Sequence, residues 1–521
     1  MKTLALGIQT FRDLINNGSV YVDKTKEIYN LVDSEDKRFF FLSRPRRFGK
    51  SLLISTLEEI FLGNKELFKD LWIYNKIQWK KYPVITISMN SLRYNKKIFD
   101  FENSLLFQLN KIFDNYNLKL DSLNPKDAFE ELIKKLSEQS EYGKVVVLID
   151  EYDKPITEFI EEVEISKNYR ESIKNFYETI KANDKYIRFC MLTGVSKFSK
   201  TSFFSSLNNL NDITLDSEHS QIVGINEEQL YSYFDKHIIK LGKKYNQNEE
   251  DIKQGLKTWY NGYSWDGENF LYNPYSLISA FTKNEIKNYW FSTGTPTFLI
   301  DLIKKNKVNF IEIENIVLSE NNFDSYDVDN MNIYALLFQT GYLTIKNIKY
   351  IRNYQKEYTL SYPNMEVKES LFNLVLKQES KEEQIDKSII IGNLVEALER
   401  DNITEFISIM KTIFADIPYD IFIKNQESYY HTILYLVVSL LGIRTEAEME
   451  VNTGRIDCVI QTETSIFVFE FKIGSAKKAM EQIKNKKYYA KFLNKGKKIF
   501  LVGVGFSIKK RNIYSVLIEN K

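Results

Sequence analysis

Cysteine and histidine are scarce in this chain of 521 residues, which has 2 cysteines and 3 histidines. Cys190 and Cys458 both lie in apolar stretches that predict strands, so we expect two reduced core residues. The histidines, His219, His237 and His431, show no zinc-ligand spacing. The composition therefore excludes a small disulfide-bonded domain and favours a reducing compartment.

Long hydrophobic runs and an excess of one charge are also missing. The longest apolar run, at 432–443, is too short to span a bilayer, and the first residues do not form a basic-then-apolar signal segment. We therefore expect a cytoplasmic protein with no membrane partner. Lys+Arg 71 against Asp+Glu 70 gives a net charge of +1, so global charge indicates no polyanionic partner. The length requires several domains.

The apolar run FFFL at 39–42 predicts a buried strand, and a basic loop, RPRRFGKS at 44–51, follows it directly. The next residues have helical spacing of apolar side chains. Strand, Gly-Lys-Ser loop and helix is the context in which backbone N–H groups bind phosphate. Lys50 would then reach the outer phosphates and Ser51 would ligate Mg²⁺. The general pattern has glycine where this chain has Arg44, so the loop alone does not exclude a chance resemblance to a phosphate-binding loop.

A second motif follows in VVVLI at 145–149, which predicts a buried parallel strand ending in Asp150 and Glu151. The carboxyl ends of such strands carry the sites of open α/β sheets. Asp150 would hold Mg²⁺ and Glu151 would polarise the attacking water. A core strand with a solvated acidic end is the alternative. A further apolar strand at 187–192 ends near Thr193 and Ser196, either of which would sense the terminal phosphate.

Four segments together resemble the bacterial AAA-ATPase-like family: YVDKT at 21–25, RPRRFGKS at 44–51, LIDEYDKP at 148–155 and TGVSKFS at 193–199. Members of that family often carry a C-terminal nuclease-like domain of the PD-(D/E)XK superfamily, and they also have arginine at the first loop position. The resemblance implies ATP and Mg²⁺ as cofactors. The residues expected to bind the nucleotide are Arg47, Phe48, Gly49, Lys50, Ser51, Leu52, Asp150 and Thr193, with Ser51 and Asp150 also at the metal.

A second constellation lies near the C-terminal end, where Asp457 on one predicted strand precedes Glu470-x-Lys472 on the next. Cutting a phosphodiester needs metal ions held by hard oxygen ligands, which Asp457 and Glu470 would supply. Alternation along a strand places Glu470 and Lys472 on one face, so Lys472 would stabilise the developing charge. Gln482, followed by Tyr488, resembles an auxiliary pattern of related nucleases. Glu448 is a weaker third acid.

The segment after Lys472 is locally basic. A lysine patch near a cut site would bind a phosphate backbone without sequence preference, and a solvated face is the equally weighted alternative. Nucleic acid is therefore the expected partner, with DNA favoured although no residue separates DNA from RNA. The lysines are Lys477, Lys478, Lys484, Lys486, Lys487, Lys491, Lys495, Lys497 and Lys498.

The predicted fold class is α/β: a P-loop AAA-like ATPase core at 1–215, a helical lid at 216–305, a winged-helix-like segment at 306–375 and a PD-(D/E)XK nuclease-like domain at 376–521. The expected function is ATP hydrolysis that controls a Mg²⁺-dependent nuclease. The alternative is a nucleotide-dependent interaction protein whose nuclease fold is silent. A homo-oligomer is one option, but no arginine is assigned as a finger. We expect the aromatic turns at 259–263, 272–276 and 289–294 to serve lid packing, and we give residues 23–25 either a base-side or a structural role.

Overall fold

The computed structural model divides the chain into two compact units, one comprising residues 1–298 and 315–366 and the other residues 299–314 and 367–521. The boundaries of the four predicted domains stay predictions. For residues 163, 372–377, 387–389, 444–451 and 454–455 only the backbone is described. The described residues are 2–34, 36–159, 162–197, 209–290, 313, 316–320, 323, 332–351, 354–377, 387–415, 437–438, 441, 444–451 and 454–521.

The first unit is built on a five-stranded parallel sheet, in the spatial order β2-β3-β4-β1-β5. Its strands are rich in phenylalanine and β-branched residues, which favour a pleated surface buried on both faces. β4 lies between β1 and β3, so the three motif strands end at neighbouring positions of one sheet edge. The strands predicted in the apolar runs at 39–42, 145–149 and 187–192 are confirmed as β1 Phe39–Ser43, β3 Val145–Asp150 and β4 Ile187–Gly194. The other two strands are β2 Val84–Ser88 and β5 Asn211–Asp212.

Helices cover this sheet, and α3 begins immediately after the basic loop. Gly49 caps α3 with a φ of 97°, a left-handed conformation that glycine adopts without the steric cost of a side chain. The chain therefore turns sharply from loop to helix at this glycine. The helices are α1 Phe11–Asn16, α2 Thr25–Val32, α3 Lys50–Phe61, α4 Ile98–Asn115, α5 Pro125–Gln139, α6 Lys154–Thr157 and α7 Val163–Ala182.

Three further helices of the first unit share their own apolar core: α8 Glu227–Tyr245, α9 Glu249–Tyr260 and α10 Pro274–Lys283. The predicted helical spacing at 231–241 is confirmed by α8, whose start is fixed by a capping box between Asn226 and Gln229. Leu230, Phe234 and Ile238 of α8 are buried in this core. That these helices act as a lid stays a prediction.

A short helix and an antiparallel sheet follow in the same unit. Helix α11 is Ile333–Gln339, and the strands are β6 Ile316–Ser319, β7 Thr344–Tyr350 and β8 Lys356–Ser361 in the order β6-β8-β7. The predicted helix and two strands are present. The winged-helix interpretation of this segment stays a prediction.

The second unit contains a five-stranded mixed sheet in the order β13-β12-β11-β10-β9. Helix α15 packs against β12 so closely that a Cβ atom on Gly503 would lie 2.6 Å from the Ala476 carbonyl, and a side chain there would displace the helix. The strands are β9 Arg444–Val451, β10 Gly454–Gln461, β11 Ser465–Ile473, β12 Lys498–Ser507 and β13 Asn512–Asn520. The helices are α12 Met365–Lys377, which spans the division, α13 Lys387–Glu399, α14 Ile403–Ala415 and α15 Ala476–Asn485.

Some sequence predictions fall outside the described residues. These are most of the apolar run at 432–443, of which Val437 and Val438 are helical and buried, and the mixed-charge stretch at 377–384 after Lys377. Both cysteines are free and buried in strands, as predicted. No helix in the described part of the chain is long and apolar enough to cross a membrane.

Candidate functional site

A cavity of about 670 Å³ lies in the first unit, beside the basic loop of residues 44–51. Pockets of this size hold nucleotide-sized ligands. Its lining includes the loop and the acids Glu151 and Asp153. It also includes residues 5–9, residues 222–225, Phe234 and Ile278. The cavity is therefore bordered by the carboxyl end of β3, by the first residues of the chain and by helices α8 and α10.

Asp150 links the three motif strands at the carboxyl edge of the parallel sheet. Ser51 donates its hydroxyl hydrogen to Asp150 Oδ2 at 2.5 Å, and Thr193 donates to Asp150 Oδ1 at 2.7 Å. Both carboxylate oxygens are thus used, one toward α3 and one toward β4. The sequence predictions for these three residues meet at one point. Because a hydroxyl and a carboxylate are hard oxygen ligands, Ser51 and Asp150 fit a Mg²⁺ ion chemically.

Lys50 is buried, and its ammonium donates to the carbonyls of Arg44 and Pro45, each at 2.9 Å. Burial lowers the pKa of Lys50, and the nearby carboxylates of Asp150 and Glu151 oppose that shift. In this structure the hydrogen-bonding capacity of the Lys50 ammonium is therefore used by carbonyls of the same loop. An anion that entered the loop would compete with two backbone carbonyls for the ammonium.

Glu151 follows Asp150 with a φ of 55°, in the left-handed region that is uncommon for a residue with a side chain. Such backbone strain clusters at functional sites. Burial, followed by the charge of Asp150, raises the pKa of the half-buried Glu151. The carboxylate lines the cavity, where a general base or a water-orienting group would stand.

Asp153 is a site residue to which the sequence reasoning assigned no role. Its buried carboxylate accepts hydrogen bonds from the backbone of Val195, at 3.2 Å, and of Ser196, at 2.8 Å. It therefore fixes the end of β4 next to Thr193. Ser196, the alternative phosphate sensor, has its amide engaged by this carboxylate. The acidic pair Asp150-x-x-Asp153 was the only signal in the sequence.

The remaining predicted loop residues occupy different places. Leu52 and Arg47 line the cavity, whereas Phe48 is fully buried although it also borders the cavity. The Arg47 guanidinium lies 3.9 Å from the centre of the Tyr275 ring. Tyr275 belongs to one of the aromatic turns for which the sequence favours lid packing over a ligand site, and it also lines the cavity. The contact with Arg47 could not be predicted because residues 47 and 275 are distant in sequence.

Residues 23–25 begin α2, as the sequence predicted, and they make a dense polar network. Asp23 accepts from the backbone and hydroxyl of Thr25, at 2.8 and 2.7 Å. Lys24 is buried in the cavity wall and donates to the Gln221 carbonyl at 3.0 Å and to Gln229 at 2.8 Å. Burial lowers the pKa of Lys24 to about 8. These bonds fix the segment, and Lys24 also borders the cavity, so both roles given to residues 23–25 stay predictions.

In the second unit, Asp457 and Glu470 lie opposite each other on adjacent antiparallel strands. Cys458 pairs with Phe469 in the ladder of β10 and β11, so the residues flanking that pair face each other. Asp457 also accepts a hydrogen bond from the Phe471 amide at 2.8 Å. The two acids and Lys472 therefore meet on one hairpin, as the sequence predicted.

Glu470 is fully buried, and burial, together with the charge of Asp457, raises its pKa to about 8. Lys472 Nζ lies 3.3 Å from Glu470 Oε1, and neither oxygen of Glu470 otherwise has a partner among the described residues. A buried carboxylate with unsatisfied oxygens costs free energy unless a cation or a proton neutralises it. Asp457 and Glu470 therefore fit a divalent metal ion.

The auxiliary pair is also in contact. Gln482, on α15, donates its amide hydrogen to the Tyr488 hydroxyl at 3.2 Å. Burial raises the pKa of Tyr488, and the charges of Glu470 and Asp457 act in the same direction, which places this pair near the acids. Glu448 lies in β9, and its side chain is outside the described part of the chain.

The lysine segment is less uniform than its sequence indicates. Lys484 pairs with Glu519 at 2.6 Å, Lys498 pairs with Asp401 at 2.8 Å, and Lys497 donates to a carbonyl at 2.5 Å. These three lysines have partners within the unit. Lys477 and Lys478 are exposed on α15, beside the helix face that packs on the sheet. The basic surface is therefore narrower than the run of lysines predicts.

One further polar cluster joins Asp216, Glu218 and His219, whose ligand-type atoms lie within 4.8 Å of one another. The sequence showed no zinc-ligand spacing around His219, because carboxylates supply two of the three groups. Asp216 already accepts a hydrogen bond from the Glu218 amide at 3.0 Å and caps a short 3₁₀ turn. This cap explains the acid without an ion.

The open parallel sheet with its loop and acid strand, joined to a mixed sheet with two acids and a lysine, defines a chain with an ATPase-like unit and a nuclease-like unit. A family described as "Predicted AAA-ATPase" matches residues 5–204, and the PD-(D/E)XK nuclease superfamily matches residues 425–516. The chain belongs to the AAA-ATPase-like family and carries a PD-(D/E)XK nuclease superfamily domain.

Two relatives match parts or all of the chain. A protein of Azotobacter chroococcum mcd 1, described as "Uncharacterized protein in vnfD 5'region", is 35% identical over 530 aligned positions that cover 100% of this chain and 99% of that protein. Reticulocyte-binding protein homolog 1 of Plasmodium falciparum is 25% identical over 360 positions, which cover 66% of this chain and 11% of that protein. The first relative thus aligns along the whole chain, across both units. No solved structure matched the chain.

The raised pKa of Glu470 predicts that metal binding in the second unit is linked to pH. The carboxyl keeps a proton, which the ion must displace, to higher pH than an ordinary glutamate does, so metal affinity should rise with pH through neutrality and then level off. Calorimetric titration with Ca²⁺ at several pH values measures this slope. Glu470→Gln should remove it, whereas Asp401→Asn, which changes a carboxylate bound to Ser465 and Lys498, should keep it. An unchanged slope in Glu470→Gln would contradict the assignment.

Proposed function

We propose that this protein binds and hydrolyses ATP in its first unit and that its nucleotide state controls a Mg²⁺-dependent nuclease in its second unit. The observation that carries the proposal is the convergence of Ser51 and Thr193 on Asp150, beside a cavity of about 670 Å³. It is supported by the second convergence, of Asp457, Glu470 and Lys472 on one hairpin.

In the first unit each residue has a role that follows from its position. The backbone N–H groups at the start of α3 and the Lys50 ammonium would bind the phosphates. Ser51 and Asp150 would hold Mg²⁺, which neutralises developing phosphate charge. Glu151 would orient the attacking water, since its carboxylate faces the cavity. Thr193 would sense the terminal phosphate through its bond to Asp150.

In the second unit Asp457 and Glu470 would hold the metal that activates water and clamps the scissile phosphate. Lys472, 3.3 Å from Glu470, would stabilise charge on the phosphate in the transition state. Gln482, held by Tyr488, would orient substrate or water at the same site. Nucleic acid is the substrate class, and the exposed Lys477 and Lys478 would contact its backbone.

A second candidate function is a nucleotide-dependent interaction protein with a silent nuclease fold. It is favoured by the lysines that are paired within the second unit, since Lys484 and Lys498 already have acidic partners. Cleavage of plain plasmid DNA and of RNA with Mg²⁺ or Mn²⁺ separates the two candidates. Complete absence of cleavage in every nucleotide state would favour the silent fold.

The first unit can be tested by two substitutions with different expected effects. Lys50→Ala should weaken ATP binding at least tenfold, because it removes the buried ammonium that would reach the outer phosphates. Glu151→Gln should bind ATP with nearly unchanged affinity but hydrolyse it at least 100-fold more slowly, since the amide cannot accept a proton. Equilibrium binding and phosphate release measure both. Normal turnover in Glu151→Gln would remove Glu151 from this role.

The second unit should lose cleavage independently of ATP hydrolysis. Asp457→Ala and Lys472→Ala are each expected to reduce cleavage at least 100-fold while the rate of phosphate release stays within about twofold, because the two sites lie in different units. Lys484→Ala is the matched control, since this lysine is paired with Glu519. Loss of ATP hydrolysis in Asp457→Ala would show that the sites are not separable in this way.

Control of the nuclease by nucleotide can be tested directly. A nucleotide can shift cleavage only by binding two conformations with different affinity, and couplings of about 1–3 kcal/mol correspond to roughly 5–150-fold. Cleavage rates are compared without nucleotide and with ATP, ADP or a non-hydrolysable analogue, at fixed free Mg²⁺ because ATP chelates the ion. Lys50→Ala should respond to none of them. Equal rates in all four states of the wild type would mean a constitutive nuclease.

A further inference from the structure

The first position of the basic loop is occupied by Arg44, whose side chain is fully buried. Its guanidinium donates to the carbonyls of Ser43, at 2.8 Å, and Thr214, at 2.9 Å, and it approaches the His219 carbonyl at 3.4 Å. It also lies 4.0 Å from the centre of the Trp265 ring. Neither Arg44 nor any of these groups is part of the cavity lining.

The backbone of the same residue is engaged on the other side. The Arg44 amide donates to the Gly194 carbonyl at the end of β4, at 3.1 Å, and the Arg44 carbonyl accepts from Lys50 at 2.9 Å. One residue thus connects the strand end next to Thr193, the loop lysine and the turn at residues 263–265, which we call the Trp265 turn. The position of its backbone sets where the loop starts.

The Trp265 ring that contacts the Arg44 guanidinium is itself held in place. Trp265 contacts the ring of Phe48 edge-on at 5.1 Å. In the preceding residues of the turn, Tyr263 exchanges backbone hydrogen bonds with Leu271, at 3.2 and 2.8 Å, and the Ser264 amide donates to Thr344 at 2.7 Å. A rigid partner is required if a side chain is to hold a backbone in place, and the Trp265 turn meets this requirement.

The cost of this arrangement shows that its contacts are strong. Burial lowers the pKa of Arg44 to about 9, which leaves it cationic at neutral pH, and its Nε has no partner among the described residues. The charges of Asp212 and Asp266 oppose this shift, and carbonyl dipoles and the face of an aromatic ring also hold the buried cation. Glycine at this position would avoid the cost but would lose every side-chain contact.

We propose that Arg44 is a positioning residue for nucleotide binding: it fixes the start of the loop against the Trp265 turn so that Lys50 and the N-terminus of α3 meet the phosphates. It touches neither the cavity nor the phosphates. The inference rests on the proposed nucleotide site and explains how a loop without its first glycine keeps a defined shape. Because the loop and Lys50 would both reach the β-phosphate, which ATP and ADP share, the two nucleotides should depend on Arg44 equally.

The test restores the glycine of the general pattern. Arg44→Gly should weaken both ATP and ADP binding about tenfold, with the ratio of the two dissociation constants unchanged. Arg44→Lys keeps the charge but not the planar fork, and it should fall between this variant and the wild type. At saturating ATP, Arg44→Lys should turn over within about twofold of the wild type, so that KM rises and kcat does not. All measurements are made well below the melting temperature of each variant.

A double-mutant cycle and a control complete the test. Trp265→Leu should weaken nucleotide binding in the wild type but add less than twofold in Arg44→Lys, because the two side chains act through one contact. Arg12→Lys disturbs the ion pair of Arg12 with Glu59, at 2.7 Å, and should lower thermal stability without changing nucleotide affinity. This control separates lost stability from lost positioning.

Each other outcome overturns the idea in a recognisable way. Unchanged affinity in Arg44→Gly, or additive effects of the Arg44 and Trp265 substitutions, would remove the positioning role. Weakened ATP binding with normal ADP binding would instead indicate direct contact with the terminal phosphate. A wild type that binds neither nucleotide would remove the proposed function itself, and with it this inference.

Discussion

The bonds from Ser51 and Thr193 to Asp150 are the interaction on which the first unit depends. They connect the helix after β1, the end of β3 and the end of β4, and these are segments that only the parallel sheet brings together. A buried carboxylate is stable only if its oxygens are satisfied. The same two bonds thus satisfy the buried carboxylate of Asp150. They also bring together the groups that a metal-bound nucleotide would use. Asp153, three residues later, is a second buried carboxylate whose oxygens accept hydrogen bonds, in this case from backbone amides.

Much of this architecture could be predicted from the sequence because its signals are local. Continuous apolar runs indicated the parallel strands, and helical spacing indicated α3, α5 and α8. Asp150 ended a predicted strand at the expected place, and Asp457 and Glu470 lay on the two strands predicted for the other site. Asp457 and Glu470 were predictable as neighbours because a short hairpin fixes their register. In each case the residues that decide the structure lie within one or two elements.

The features that could not be predicted depend on contacts between distant segments. Nothing near Arg44 in the sequence indicates that its side chain turns toward Trp265, or that Tyr275 receives Arg47. The burial of Glu470, which raises its pKa to about 8, depends on how α15 and the sheet close around it. The lysines after Lys472 are equivalent in a sequence pattern, but acids elsewhere in the unit engage some of them. Charge counts cannot distinguish paired side chains from free ones.

The order of the two sites along the chain has a consequence for synthesis on the ribosome. Every described residue that lines the cavity belongs to the first unit, which is complete at Glu366, whereas Asp457 of the other site comes later. About 90 residues separate Glu366 from Asp457, which at 5–20 residues per second corresponds to roughly five to twenty seconds of translation. The candidate nucleotide site can therefore be assembled, and can meet cellular ATP, while the nuclease-like strands do not yet exist. A nascent chain would thus acquire the ATPase-like unit before the nuclease-like unit that we propose it controls.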